Sequence, residues 1–117
     1  MKIGSNTVTT TINTELNLDR VNQAVDAILT ALGEPETDLH RDALSAFRRG
    51  DYQIVKRLAA TNLSDYYCKA LGYLGGALKL TPNTDTILAE SARAAADFVR
   101  ERTLSELGAE IAKALSH

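Results

Sequence analysis

Apolar side chains recur at intervals of three and four residues along most of this chain, which is the spacing of an amphipathic α-helix. Two such runs over residues 38–63 are separated by the short sequence Arg49-Gly50-Asp51-Tyr52. Gly50 can adopt the left-handed backbone that ends one helix, and the carboxylate of Asp51 can cap the next. The pattern therefore predicts an antiparallel helical hairpin over 38–63.

Further helices are predicted on both sides of this hairpin. The apolar spacing indicates one helix over 17–32 before it, and helices over 64–80 and 84–103 after it. A last helix over 105–115 follows only a weak breaker, so it can be continuous with the helix before it. The chain is therefore predicted to be all-α, with five or six helices that pack as antiparallel hairpins.

Three glycines lie within the helix predicted over 64–80, namely Gly72, Gly75 and Gly76. Each lowers helix stability by up to ~1 kcal/mol relative to alanine, so three within five residues require a reason. Two reasons are open at this point. Either another backbone packs closely against these glycines, or the helix is broken near 75–76.

The first 16 residues are rich in threonine, asparagine and serine and lack helical spacing. Their alternation could form a short strand, but a single strand without a partner is marginal. We predict a flexible threonine-rich leader over 1–16, followed by a single helical domain over 17–117.

Composition excludes several classes of protein. The net charge of −2 argues against a general binder of nucleic-acid backbones, because such binders carry a basic excess. No run approaches the ~20 apolar residues of a membrane span. The amino-terminal residues lack the charged start and apolar core of a secretory signal. We therefore expect a cytoplasmic protein without a membrane partner.

The sequence offers no convincing catalytic or metal-binding residues. Cys68 is the single cysteine, which rules out an intrachain disulfide, and its only histidine candidates are His40 and His117. A lone cysteine on a helix typically packs as a small apolar group. A glycine-rich phosphate loop, a carboxylate pair and a zinc-ligand spacing are all missing from the pattern. We expect a protein that is not an enzyme and needs no cofactor.

The predicted caps Asn17, Asp51 and Asp85 follow one another at intervals of 34 residues, the period of tetratricopeptide repeats (TPR). The segment AFRRGDY over 46–52 resembles the turn between the two helices of such a repeat. The residues over 70–83 resemble the second helix of a repeat and its closing Pro-Asn. These two matches place the repeat frame differently, so the chain is TPR-like and lacks an array of consensus repeats.

Four segments within residues 23–107 carry a more specific resemblance, namely a helix and Gly-Glu turn over 24–36, RGDY at 49–52, YYCKALGYLGGAL at 66–78 and FVRE at 98–101. The resemblance is to the TPR-like chaperones that hold the type III secretion needle subunit in the bacterial cytoplasm. It implies a concave helical surface that grips an amphipathic helix of the needle subunit, together with a smaller helical co-chaperone. The physical mode would be helix-in-groove recognition.

The partner-binding residues are predicted on the aromatic helix over 66–78. Tyrosine is favoured at interfaces, and the glycine-rich end would let a partner helix approach closely. The alternative is that these tyrosines pack the core with their hydroxyls at its edge. The predicted partner-binding residues are Tyr66, Tyr67, Leu71, Tyr73 and Leu74.

Two other functions remain open from the sequence. The segment 58–71 resembles a helix-turn-helix, and a basic cluster lies just before it, which would suit a small DNA-binding regulator. Against this, tyrosines at the start of the second helix are poor readers of a DNA groove, and nucleic acid is the less favoured partner. Alternatively, the chain could be a self-associating helical bundle, for example one encoded by a phage, whose apolar groove is filled by its own dimer mate.

Overall fold

The computed structural model describes residues 18–116, which form five α-helices and no strand. The helices are α1 over 18–32, α2 (Asp38–Arg48), α3 (Tyr52–Thr61), α4 (Tyr66–Ala77) and α5 (Thr84–Leu115). This confirms the predicted all-α fold with helical hairpins. The predicted leader over 1–16 and the predicted cap Asn17 lie outside the described residues.

The turn between α2 and α3 follows the predicted geometry. Gly50 has a φ of +76°. Its amide donates to the carbonyl of Phe47, and the amide of Asp51 donates to the carbonyl of Ala46. These two bonds form a Schellman motif, which satisfies carbonyls that the end of α2 would otherwise leave open. The predicted hairpin over 38–63 is therefore confirmed.

The caps of the helices do not keep the predicted interval of 34 residues. The cap of α5 is Asn83 rather than Asp85, and α3 and α5 therefore begin 32 residues apart, at residues 52 and 84. The cap of α2 is Thr37, whose hydroxyl accepts a hydrogen bond from the amide of His40. Asp51 stands at the predicted cap position of α3, but its side chain makes no capping bond.

Helix α4 lies at the centre of the described fold and contacts α2, α3 and α5. Seven of its twelve residues are buried. Because helices cover it on three sides, its apolar residues form most of the core together with one face of each neighbour. The fully buried members of this core with the largest side chains are Val21, Leu32, Val55, Tyr67, Cys68, Leu71 and Leu74.

Helix α5 packs antiparallel to α4 through a face that repeats every seven residues. Thr84 donates its hydroxyl to the carbonyl of Ala77 over 3.3 Å, and Ser91 donates to the carbonyl of Ala70 over 2.7 Å. Phe98 continues this face. Ala92, Ala96 and Val99 lie on the exposed side of this helix.

Two of the three glycines in α4 mark a close approach to α3. A Cβ added to Gly72 would lie 3.3 Å from the Cβ of Ala59, and one added to Gly75 would lie 3.2 Å from the ring of Tyr52. Helix α4 continues through all three glycines to Ala77. Close packing of α3 is therefore the reason for Gly72 and Gly75, and the alternative of a break near 75–76 is wrong.

Helix α1 runs in the same direction as the first half of α5. Arg20 pairs with Asp85 over 3.0 Å at the start of both helices. At the other end, Arg102 pairs with Glu36, which lies just after α1. Beyond Arg102, every side chain from 103 to 116 is exposed. The second half of α5 thus projects past the packed helices, and it is continuous with the first half rather than a separate helix.

Candidate binding groove

A groove of about 560 Å³ lies over the contact between α3 and α4. One side is formed by α3 and the residues around it, and the other by the outward strip of α4. The residues that line it are Gly50, Asp51, Tyr52, Gln53, Lys56, Ala59, Ala60, Leu63, Lys69, Gly72, Tyr73, Gly75, Gly76 and Lys79.

The floor of the groove is built from alanines and glycines. Ala59 and Ala60 lie on the α3 side, and Gly72 and Gly76 lie on the α4 side. Small residues at these positions leave a trough that larger side chains would fill. Because the glycines also let α3 approach α4 closely, the same residues that fix the hairpin create the trough above it.

Larger apolar groups flank this floor. Tyr52 and Tyr73 are half-buried, and Leu63 is 75% exposed although it is a large apolar residue. An apolar trough with an exposed leucine at its edge is the kind of surface that takes an apolar partner. The residues that line α3 fall at spacings of three and four, so a continuous strip of that helix faces the groove.

Three lysines stand around the groove, namely Lys56, Lys69 and Lys79, against the single carboxylate of Asp51. Within residues 18–116 none of these lysines lies within 4.0 Å of a carboxylate oxygen. Lys69 instead lies over the ring of Tyr66, 5.8 Å from its centroid. The rim is therefore positively charged and available to the carboxylates of a partner.

The structure distributes the five predicted partner-binding residues over two environments. Tyr73 lines the groove, and Tyr66 is half-buried beside Lys69 without lining it. Tyr67, Leu71 and Leu74 belong to the core, with 1%, 0% and 0% of their surface exposed. These three lie on the sides of α4 that face its neighbouring helices, so they are corrected from groove to core.

The sequence prediction missed the α3 side of the groove. It assigned the site to the aromatic helix alone, whereas Tyr52, Lys56, Ala59 and Ala60 come from α3. The signal in the sequence was the glycine run of α4, because a helix that approaches glycines must supply the other side of any groove beside them. This side of the groove can be predicted only when it is known which helix packs against α4.

A buried cluster around His40 packs against the side of α4 that faces away from the groove. The Nε2 atom of His40 donates to the carboxylate of Asp65 over 2.8 Å, and its ring stacks on Tyr67 with centroids 4.2 Å apart. The edge of this pair meets Phe98. Every buried side-chain nitrogen and oxygen atom in the described residues has a hydrogen-bond partner, so this cluster serves as a structural contact between α2, α4 and α5.

Cys68 is a packed thiol. Burial, together with the nearby carboxylate of Asp65, raises the pKa of Cys68 to about 12, which stabilises the protonated form rather than the thiolate that a nucleophile requires. In the described part of the chain, no group of three or more histidine, cysteine, aspartate or glutamate side chains could hold a metal ion.

The packing of α4 bears on the DNA-binding alternative. That reading makes α4 the recognition helix, which must project into a DNA groove. In the structure α4 is instead the central helix, and the strip it leaves open lies beside α3. The five arginines and lysines of the predicted basic cluster come from α2, α3 and the turn between them, and of these only Lys56 lines the groove.

None of the helices in residues 18–116 combines the length and the apolar character needed to cross a membrane. Comparison of the chain with protein-family models, curated proteins and solved structures finds no match.

Proposed function

We propose that the chain is a protein-binding chaperone or adaptor whose α3–α4 groove holds an amphipathic helix of a partner. The observation that carries this proposal is the open apolar trough with its rim of unpaired lysines. In helix-in-groove recognition, apolar side chains at positions i, i+3, i+4 and i+7 enter such a trough. Covering that stripe would keep a self-assembling partner from polymerising.

The dimensions of the groove suit about three turns of helix. Its α4 side extends from Lys69 to Lys79, which is about 15 Å along a helix axis. The alanine and glycine floor admits branched side chains such as leucine and isoleucine. A helix of this length can place four apolar residues in the trough.

The charge of the rim favours an acidic partner helix. Glutamates beside the apolar stripe would face Lys56 on one side and Lys69 or Lys79 on the other. Exposed ion pairs add only about 0–1 kcal/mol each, so they select and orient the partner, whereas apolar burial supplies most of the affinity.

The most specific form of the proposal takes the needle subunit of a type III secretion system as the partner, with a small helical co-chaperone. Its support is the resemblance over residues 23–107, in which RGDY at 49–52 lies at the α2–α3 turn and the 66–78 segment contains the whole of α4. The needle subunit is held in the cytoplasm before secretion, which would be the location of this chain.

The test is binding of a designed 18-residue helical peptide with leucines at i, i+3, i+4 and i+7 and glutamates beside them. Fluorescence anisotropy should give a dissociation constant in the micromolar range. A peptide of the same composition in scrambled order has no stripe and should bind at least tenfold more weakly. Replacing the glutamates with lysines should also weaken binding, because the rim is basic.

A groove variant and a matched control locate the bound peptide. Ala60→Glu and Leu63→Glu together introduce charge and bulk into the trough at two exposed positions. Thr61→Glu with Ser64→Glu adds the same two charges at exposed positions next to these but outside the groove. Peptide affinity should fall at least tenfold in the double variant and stay within twofold in the control. Equal affinity for all three proteins would refute the groove as the binding site.

A further inference from the structure

The projecting half of α5 carries an apolar stripe that nothing in the described structure covers. Its four members are spaced by three, four and four residues, so they lie along one side of the helix. Their exposed fractions are 59%, 54%, 51% and 81% for Leu104, Leu107, Ile111 and Leu115. We call residues 103–116 the tail. A stripe of this size on a helix that would otherwise stand in solvent indicates a binding surface.

The stripe points away from the side of α5 that packs on α4. Thr84, Ser91 and Phe98 mark the packed side. At about 100° per residue, Leu107 and Ile111 lie roughly half a turn round the helix from that side. The tail therefore cannot cover its stripe on its own α4 by a simple bend.

The tail also cannot reach the groove of its own chain. Because α5 is antiparallel to α4, Ser91 lies at Ala70 and Phe98 lies at Tyr67, near the first turn of α4. A continuous helix then carries residues 103–116 past that turn and beyond the α4 side of the groove. Among the described residues, the tail therefore cannot fill the groove of its own copy.

The tail and the groove match in length and chemistry. From Leu104 to Leu115 the stripe extends about 16 Å, against about 15 Å for the groove. Glu110 flanks the stripe, whereas Lys113, the only basic residue in the tail, lies on the opposite side of the helix. An apolar row with glutamate beside it therefore faces a trough with lysines on its rim.

We propose that the tail of one copy of this chain occupies the α3–α4 groove of a second copy. The proposal rests on the proposed function of the groove as a helix-binding site, and it adds what fills that groove in the absence of another partner. A second copy would supply a tail to fill the groove of the first copy and a groove to cover the tail of the first copy. Reciprocal docking would close a dimer, and docking in one direction only would extend into a chain.

Such docking would regulate the groove. A partner helix must displace the tail before it can bind, so its apparent affinity falls by the fraction of grooves that are occupied. Displacement also returns the tail to solvent, which links capture of a partner to dissociation of the copies.

The test measures the mass of the full-length protein by sedimentation equilibrium from about 10 μM to 1 mM. The wild-type protein should associate as its concentration rises. The tail variant, Leu107→Glu with Ile111→Glu, and the groove variant, Ala60→Glu with Leu63→Glu, should each remain monomeric. All four positions are exposed, so the variants are expected to fold, which circular dichroism checks.

Matched controls carry the same charge away from the two surfaces. Ser105→Glu with Ala109→Glu adds two charges to the tail beside or behind the stripe, and Thr61→Glu with Ser64→Glu adds two charges at the end of α3 and just after it, outside the groove. Both control proteins should associate within threefold of the wild-type constant. Equal loss of association in a control and in its matched variant would overturn the proposal.

Mixing the two variants decides which surfaces meet. The tail variant keeps an intact groove and the groove variant keeps an intact tail, so an equimolar mixture should form a one-to-one dimer and nothing larger. If tails paired with tails, the groove variant would still associate alone and the mixture would gain no dimer. Either of those results, or a wild-type protein that stays monomeric at 1 mM, would overturn the proposal.

The designed peptide separates this inference from the proposed function. The tail variant has an empty groove, so it should bind the peptide at least as tightly as the wild-type protein does. Peptide binding by a chain that never associates would remove the tail as occupant and leave the groove as a helix site. No peptide binding, even by the tail variant, would instead remove the proposed function.

Discussion

The carboxylate of Asp65 caps the start of α4 and also hydrogen-bonds to His40 of α2. It accepts the amide of Cys68 over 3.0 Å as the helix cap, and it accepts Nε2 of His40 over 2.8 Å. Burial alone would raise the pKa of Asp65, but the bonds from Cys68 and His40 outweigh it and hold the pKa below its ordinary value. The charged form of this residue is therefore part of the native packing.

Two substitutions separate the capping of α4 by Asp65 from its charged contact with His40. Asp65→Asn keeps an oxygen that can cap α4 but loses the charged contact with His40, whereas Asp65→Ala loses both. We expect the free energy of unfolding at pH 7 to fall by about 1 kcal/mol for Asn and about 2 kcal/mol for Ala, measured by urea denaturation. Equal losses for the two variants would assign the whole effect to one of the two contacts.

The same residue gives a pH dependence. Because its pKa is lowered on folding, Asp65 contributes stability above the ordinary aspartate value near pH 4, and this contribution is lost as the pH falls through the folded-state pKa. The difference in unfolding free energy between the wild-type protein and Asp65→Asn should therefore narrow at acid pH. A difference that stays the same at pH 2 would contradict the charge argument.

His40 shows what the sequence pattern can and cannot provide at this scale. It lies at i, i+3, i+4 and i+7 with Ala43, Leu44 and Phe47, so the spacing alone places it on the buried side of α2. The residue type alone does not predict burial, because histidine is intermediate between the buried and the exposed residue types. The partner that makes burial possible, Asp65, is 25 residues away, and no local pattern predicts that contact.

At the scale of elements, the glycines of α4 set how closely it meets each neighbour. Gly75 faces the Cβ and ring of Tyr52 on α3, whereas a Cβ on Gly76 would make an ordinary contact of 3.7 Å with Ile87 on α5. The close approach of α3 therefore requires glycine at position 75, whereas position 76 has room for a Cβ.

Alanine at these two positions should have opposite effects. Gly75→Ala should lower the free energy of unfolding by about 1 kcal/mol, because the backbone-proximal atoms of Tyr52 cannot swing away and overpacking exceeds the gain in helix propensity. Gly76→Ala should raise it by up to about 1 kcal/mol through propensity alone. Thermal denaturation of the two variants provides the measurement, and a Gly75→Ala protein that is the more stable would show that α3 can shift freely.

The helices themselves could largely be predicted from the sequence. Gly50 ended α2 as expected, since a left-handed glycine acts within a few residues of itself, and Asp65 caps α4 over an equally short range. The sequence left open whether the helix continues through 103–105, and it does continue, because that stretch contains neither glycine nor proline to stop α5. The α3 side of the groove was missed because it depends on which helix packs against α4.

At the scale of the whole molecule, α5 divides into a packed half and a bare half. Ion pairs at Arg20–Asp85 and Arg102–Glu36 lie near the two ends of the packed half, whereas every side chain of the tail is exposed. An isolated helix of this length is marginal in water, so the tail should open far more readily than the rest of α5.

Hydrogen exchange should display this division. In dilute wild-type protein, amides over 107–115 should exchange at least a hundredfold faster than amides over 91–98, because local opening of the tail costs little free energy. Raising the protein concentration should slow exchange in the tail if a second copy covers it. The tail variant Leu107→Glu with Ile111→Glu should show no such slowing, and slowing in that variant would contradict coverage of the stripe.

The shared direction of α1 and α5 sets the distance between the start of α1 and the end of the tail. Arg20 lies at the level of Asp85, and residue 116 lies about 45 Å further along α5 while that helix is intact. A dye attached near the start of α1 would lie beside the packed half, whereas a dye at residue 116 would move as the tail opens and closes. The distance between two such dyes should therefore vary widely in dilute protein, and it should narrow towards the length of the intact helix when a second copy covers the stripe.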